Sequence, residues 1–323
     1  HGPTLAFKDV AMQLLAQLYD HVLGLQKRKL TIVCATSGDT GGAAVEAFRG
    51  RNNIRIVAMF PEGRISEVQR RFMTTANEDN VRCVAVKGTF DDCQNILKAL
   101  FQDDSLRHDV DLSGVNSINW ARIAAQSVYY FTSAVALGAP HRPISYSVPT
   151  GNFGDAFAGY VAKRMGLPIE RIVVATNGND ILSRALSGGE YARGAVLATQ
   201  SPAMDIQIAS NFERLYFESV AREGAETGRA FRAFADTGAI TIPPAALAAM
   251  RELFVGTAVS EDETTRTIIS TFNETGELID PHTAVAVAAA KRIGPAKAGT
   301  PIVALSTAHP AKFPESVEAA PAS

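Results

Sequence analysis

The sequence predicts an α/β protein built on parallel sheets, and three observations carry that expectation. Short β-branched runs alternate with longer amphipathic ones along most of the chain. Several of the short runs end in loops of Gly, Ser, Thr and Asn that open directly into a helical pattern. The chain has 323 residues, 46% apolar and 20% charged, which suffices for a large buried core and suits two domains better than one.

The elements follow in order. After Lys8, the residues Val10, Leu14, Leu15, Leu18 and Val22 recur at helical spacing, and Gly24 is placed to end that helix at C′. Leu30–Cys34, Ile54–Phe60 and Val81–Val86 read as strands, with helices over Thr40–Arg49, Ser66–Ala76 and Phe90–Phe101 between them. A second series gives a strand at Ile144–Val148, a helix at Asp155–Met165 and a strand at Arg171–Ala175. Phe212–Thr271 reads as mostly helical, punctuated by Gly224, Gly228, Gly238 and Pro243-Pro244. Asp280-Pro281 caps a helix over His282–Arg292 that Gly294-Pro295 stops, and Pro301–Leu305 returns as a buried strand. The Ala/Pro/Ser tail after Val317 is expected to fray.

Composition excludes several functions. A formal net charge of −2 with interspersed signs, and no basic stripe among aromatics, argues against nucleic acid. No stretch reaches about 18 uninterrupted apolar residues, so no membrane partner is expected. Cys34, Cys83 and Cys93 have neither C-x-x-C nor zinc-ligand spacing; buried thiols in a reducing, cytoplasmic setting fit them, and no metal is expected.

Chemistry concentrates in polar loops at element ends. Lys8 follows a Gly-Pro turn at the mouth of a helix, where its amine can face a pocket. Ala35-Thr-Ser-Gly-Asp-Thr-Gly-Gly42 runs from a strand into a helix, and free helix N-terminal amides with hydroxyls make an anion site. Its spacing matches neither the dinucleotide nor the P-loop motif. Pro149-Thr-Gly-Asn-Phe-Gly154 repeats the strand–loop–helix pattern, and its amides can surround a phosphate, although Asp155 would repel one unless it points away. In Asn116-Ser-Ile-Asn-Trp-Ala-Arg122, a helix starting near Asn119 gathers amide, hydroxyl and guanidinium groups suited to phosphate or carboxylate. Ser306-Thr-Ala-His-Pro-Ala-Lys312 lies past the carboxyl end of a strand, where open α/β sheets bind ligands. Thr307 offers a hydroxyl there, and His309 before a proline reads as structural more readily than as a base. Taken singly, each loop is also explained as a capped turn.

In this order, His1–Asp9, Ala35–Gly42, Asn116–Arg122, Pro149–Gly154 and Ser306–Phe313 resemble the threonine synthase family, pyridoxal-phosphate enzymes of fold type II in the tryptophan synthase β group. The resemblance runs from His1 to about Phe313. It implies two parallel-sheet α/β domains with the cofactor in the cleft between them. Residues 1–28 and 117–323 would form the larger, cofactor-binding domain, and 29–116 the smaller one with the substrate loop. It also implies that an N-terminal region found in the family is absent from this chain.

The resemblance further implies a lyase that converts O-phospho-L-homoserine and water to L-threonine and phosphate. Lys8 would form the Schiff base with pyridoxal 5′-phosphate and then act as general base. Gly151, Asn152, Phe153 and Gly154 would hold the cofactor phosphate, Asp39 its ring hydroxyl and Thr307 its pyridine nitrogen. Ser37 and Thr40 would meet the substrate carboxylate, and Asn116, Ser117 and Arg122 its phosphate. An unperturbed lysine, pKa near 10.4, is neutral in only about one molecule in 2,500 at pH 7, so cationic neighbours and burial are expected around Lys8. The alternatives are another fold type II lyase, a serine/threonine dehydratase or amino-acid phospholyase, or a cofactor-binding chain without turnover. The Asn116–Arg122 set favours a phosphorylated substrate. A monomer or a homodimer is expected.

Overall fold

The computed structural model describes residues 1–319. The chain forms two compact units, one of residues 1–125 with 307–313, the other of 126–306 with 314–319. The partition expected from the resemblance joined 1–28 to the second half; in the compact units, 1–28 pack with 29–125.

In the first unit, β1 (Leu30–Ala35), β2 (Ile54–Pro61), β3 (Val81–Val86) and β4 (Leu112–Ser113) form a parallel sheet in the order β3-β2-β1-β4. Ile32, Val33 and Cys34 of β1 are all buried, because an inner strand of a parallel sheet is covered on both faces. The unit's helices are α1 (Lys8–Gln26), α2 (Asp39–Phe48), α3 (Glu67–Thr74), α4 (Phe90–Gln102) and α5 (Asp104–Val110), while α6 (Trp120–Ala136) runs on past residue 125. Met12, Leu15 and Ala16 of α1 join Ala43, Ala44, Phe48, Ile32 and Ile54 in one core.

One expectation for α1 needs correction. It does not end at Gly24: it runs to Gln26, and the left-handed residue is Lys27, φ 52°, whose N–H bonds Gly24 O. Val10, Leu14, Leu18 and Val22 lie on the exposed face; the buried face carries Ala11, Met12, Leu15 and Ala16. That face packs against α2, itself rich in Gly and Ala.

In the second unit, β5 (Ile144–Pro149) is buried throughout, β6 (Ile169–Thr176) pairs beside it, and β7 (Glu190–Ala192) pairs antiparallel with β8 (Ala239–Thr241). With β9 (Phe254–Ala258) and β10 (Ile302–Ala304), the main sheet is parallel in the order β10-β5-β6-β9. The stretch Phe212–Thr271 is therefore not simply helical, since it supplies β8 and an edge strand of the main sheet, β9. β10 is half-buried, not buried, because it too lies at an edge. The helices are α7 (Gly154–Arg164), α8 (Ile181–Gly188), α9 (Phe212–Ser219), α10 (Gly224–Thr237), α11 (Pro244–Arg251), α12 (Glu261–Thr275), α13 (Pro281–Ile293) and α14 (Pro314–Ala319). Of the tail expected to fray after Val317, Glu318 and Ala319 close α14, and 320–323 lie outside the described residues.

Candidate active site

In the first unit, the turn ahead of Lys8 is braced by Asp9, which is 1% exposed. Asp9 Oδ2 accepts from Thr4 N at 2.9 Å, and Oδ1 accepts from Thr4 Oγ1 at 2.6 Å. A Cβ on Gly2 would meet Asp9 Cβ at 2.3 Å, so this position requires glycine. Leu5 adopts φ 59°, a left-handed conformation that costs a non-glycine residue roughly 1–2 kcal/mol. Such strain collects at functional sites. The segment 307–313 lies antiparallel to this turn through an Ala6–Ala308 bridge: Phe7 N donates to Thr307 O at 3.0 Å and His309 N to Leu5 O at 3.0 Å. Thr307 is thereby placed beside the residue preceding Lys8. His309 Nδ1 accepts from Ala311 N at 3.1 Å and caps the short 3₁₀ turn Pro310–Lys312, a structural role.

Lys8 Nζ lies 3.6 Å from Asp39 Oδ2, the first residue of α2. Asp39 Oδ1 also takes Lys312 Nζ at 2.5 Å and Gln69 Nε2 at 3.0 Å. Burial pushes the Lys8 amine below the ordinary lysine range; Asp39 opposes that shift, while the Lys312 and Arg122 cations add to it. The expected combination of burial and cationic neighbours is present, with Asp39 the opposing charge.

The loop before α2 is folded by Thr36, whose Oγ1 accepts from Gly38 N at 2.9 Å and Gly41 N at 2.8 Å. Two amides expected for anion binding are thus occupied by a side-chain cap. Gly38, φ 125°, takes a backbone shape L-residues rarely adopt, and turns the chain into α2. Ser37 is exposed and Thr40 half-buried on either side of Asp39. At α6, Asn119 Oδ1 accepts from Ala121 N at 3.0 Å, so Asn119 is the cap. Arg122 is buried and donates to Val115 O at 3.1 Å, which fixes its guanidinium; Asn116 is exposed and Ser117 half-buried before it. Asp39 and Arg122 both act on Lys8; Ser37, Asn116 and Ser117 stand on the loops leading to α2 and α6, and Thr40 follows Asp39 in α2.

In the second unit, the loop after β5 enters α7 through Phe153, φ 63°, whose ring is buried against Phe212 and Phe254. Among the described residues, none accepts from the N–H groups of Gly151, Asn152, Phe153 or Gly154. Four unspent amides at a helix N-terminus suit a phosphate. The loop is held from behind: Asn152 O accepts from Asn211 N and Nδ2, both at 3.1 Å, and Asn152 Oδ1 from Ser210 Oγ at 2.8 Å. A Cβ on Gly151 would meet Ala203 O at 2.8 Å. Asp155 Oδ1 lies 2.6 Å from Tyr129 Oη and 3.1 Å from Tyr130 Oη, which donate to it. The carboxylate is thus drawn to tyrosine hydroxyls of α6.

Residues that sequence reasoning missed include Asp9, Thr36, Gln69 and Lys312. Asp9, Thr36 and Lys312 lie inside the polar segments and could have been noticed there; Gln69 sits in the capping box of α3 and gives no such signal. Cys34 is no rival nucleophile, since burial pushes its thiol up to about 12. Among the described residues, no cluster of His, Cys, Asp or Glu could hold a metal ion, and no helix is long and apolar enough to cross a membrane.

Two parallel-sheet units, a half-buried lysine crowded by cations and an open amide cradle are the parts of a pyridoxal-phosphate enzyme, and residues 1–308 match the family described as "Pyridoxal-phosphate dependent enzyme". Threonine synthase of Pseudomonas aeruginosa is 50% identical over 320 residues, 99% of this chain and 68% of that protein. Threonine synthase of Saccharomyces cerevisiae is 43% identical over 344 residues, covering 98% of the chain and 67% of that protein. The crystal structure of PLP-bound threonine synthase from Brucella melitensis superposes with a TM-score of 0.95 at 54% identity, over 99% of this chain and 68% of that one. The chain belongs to the threonine synthase family of pyridoxal-phosphate dependent enzymes.

Proposed function

We propose that the chain converts O-phospho-L-homoserine and water to L-threonine and phosphate, with Lys8 as the lysine that carries pyridoxal phosphate. The observation that carries the reading is Lys8 itself, an amine whose burial and cationic neighbours favour its neutral, nucleophilic form. Each unit has groups of the kind the cofactor needs: in the first, Lys8 would supply the amine, and in the second, Gly151–Gly154 have four uncommitted amides for a phosphate. When bound, the cofactor supplies an electron sink for breaking C–H bonds next to the substrate nitrogen.

The chain's own groups then do the following. Lys8 Nζ, displaced by the substrate amine, takes the proton from Cα and must release it to water before it can take the second from Cβ; burial, which lowers its pKa, favours that release. Arg122, pinned by Val115 O, offers its guanidinium to the substrate phosphate with Asn116 and Ser117, and steadies it as it leaves Cγ. Ser37 and Thr40 orient the substrate carboxylate. With the cofactor bound, Asp39 would hold its ring hydroxyl, and the Thr307 hydroxyl would hold the ring nitrogen without forcing a charge on it. Incubation with O-phospho-L-homoserine, with phosphate release and the amino-acid product both measured, tests this. Threonine and phosphate in equal amounts are expected. Release of 2-oxobutanoate in place of threonine, or no release at all from cofactor-loaded protein, overturns the reading.

A further inference from the structure

Lys312 is 1% exposed, and an ammonium so deeply buried is tolerated only when it is paired. Its Nζ lies 2.5 Å from Asp39 Oδ1, donates to Thr4 O at 3.0 Å and stands 5.5 Å from the centre of the Phe72 ring. Lys8 reaches the other oxygen of the same carboxylate at only 3.6 Å, beyond good hydrogen-bond length. One carboxylate thus serves two lysines, and geometry gives it to Lys312. The charged groups facing Lys8 are Asp39 on α2, Lys312 from the 307–313 segment and Arg122 on α6: one anion against two cations.

We propose that Lys312 is a positioning residue, the fixed cation that occupies Asp39 and so keeps this carboxylate from holding Lys8 in a tight ion pair. The inference rests on the reading of Lys8 as the cofactor lysine. It gives a buried lysine far along the chain a purpose that packing alone does not, since a methionine would fill the same space without a charge to compensate.

The test follows attachment of pyridoxal phosphate to the cofactor-free chain across neutral and alkaline pH. Borohydride reduction traps the adduct, and mass spectrometry of the peptide locates it. In the wild type, attachment at Lys8 is expected to persist well below the ordinary lysine range. In Lys312→Met, the cation is gone and no longer competes with Lys8 for the charge of Asp39. The curve should therefore move to higher pH by about one unit or more, giving about tenfold less attachment near pH 7. Lys312→Arg, which keeps the charge, should stay close to wild type. Thermal melts of both variants separate this effect from a loss of fold, which would not move the pH profile of the folded fraction.

An unmoved curve in folded Lys312→Met overturns the proposal and leaves Lys8 in its role. So does an equal shift in the Arg variant, or a wild-type curve in the ordinary lysine range should Lys312→Met not fold. Trapping at a lysine other than Lys8 overturns the underlying reading as well.

Discussion

Gly151→Ala probes the phosphate cradle with a single methyl group. The new Cβ would stand 2.8 Å from Ala203 O and 3.3 Å from Met204 Cα, both backbone atoms that cannot swing aside as a flexible side chain would. Crowding of this kind costs roughly 1–3 kcal/mol, offset by about 0.4–1 kcal/mol from the stiffer unfolded chain. The strain is relieved by moving the loop, and its amides then lose their aim. Losing one charge-assisted hydrogen bond costs about 1.5–3 kcal/mol, or roughly a ten- to hundredfold weaker cofactor. Titrating the cofactor-free protein with pyridoxal phosphate and following its visible absorbance gives the affinity, and urea unfolding gives the stability. The affinity should fall by more than the stability change alone explains. Wild-type affinity in the variant would refute the assignment of these amides to phosphate.

Two other substitutions test separate parts of the account. Asp280 caps α13, its Oδ1 accepting from Thr283 N at 2.9 Å and its Oδ2 from His282 N at 3.0 Å, with His282 Nδ1 at 2.6 Å. Asp280→Ala should destabilise the protein by about 2–4 kcal/mol in urea unfolding, combining a lost cap with orphaned buried donors, and a change below about 0.5 kcal/mol would contradict it. Thr307→Asp places a carboxylate where a neutral hydroxyl is proposed to meet the ring nitrogen; turnover should fall and the absorbance of the bound cofactor should change. Unchanged turnover and spectrum would remove Thr307 from the site.

The strands and the functional loops were legible because local rules govern them. The alternation Ile144-Ser-Tyr-Ser-Val148 announces a strand, and Gly-Asn-Phe-Gly shortly after it announces a turn into a helix. What tertiary contact decides was not legible. Lys312 gives no local sign of burial, because its partners Asp39 and Thr4 lie at the other end of the sequence. The stripe Val10–Leu14–Leu18 has helical spacing on either face, and only the fit of α1 against α2 chose Ala11, Leu15 and Ala16 for the core. β9 was hidden within a helical stretch, in part because Gly256 breaks its pattern. That glycine admits α8, since a Cβ there would stand 2.8 Å from Ser183 Cα. Thr36 was read as part of an anion loop, yet its hydroxyl spends two of the loop's amides.

Asp39 stands between two lysines, so the most direct measurement is to learn which of them carries the cofactor. Reducing the cofactor-loaded protein with borohydride, digesting it and sequencing the labelled peptide by mass spectrometry gives the answer. A single pyridoxyl group on Lys8, with Lys312 unmodified, is the expected result. A label on Lys312, or on any other lysine, would contradict the assignment on which the proposed chemistry stands.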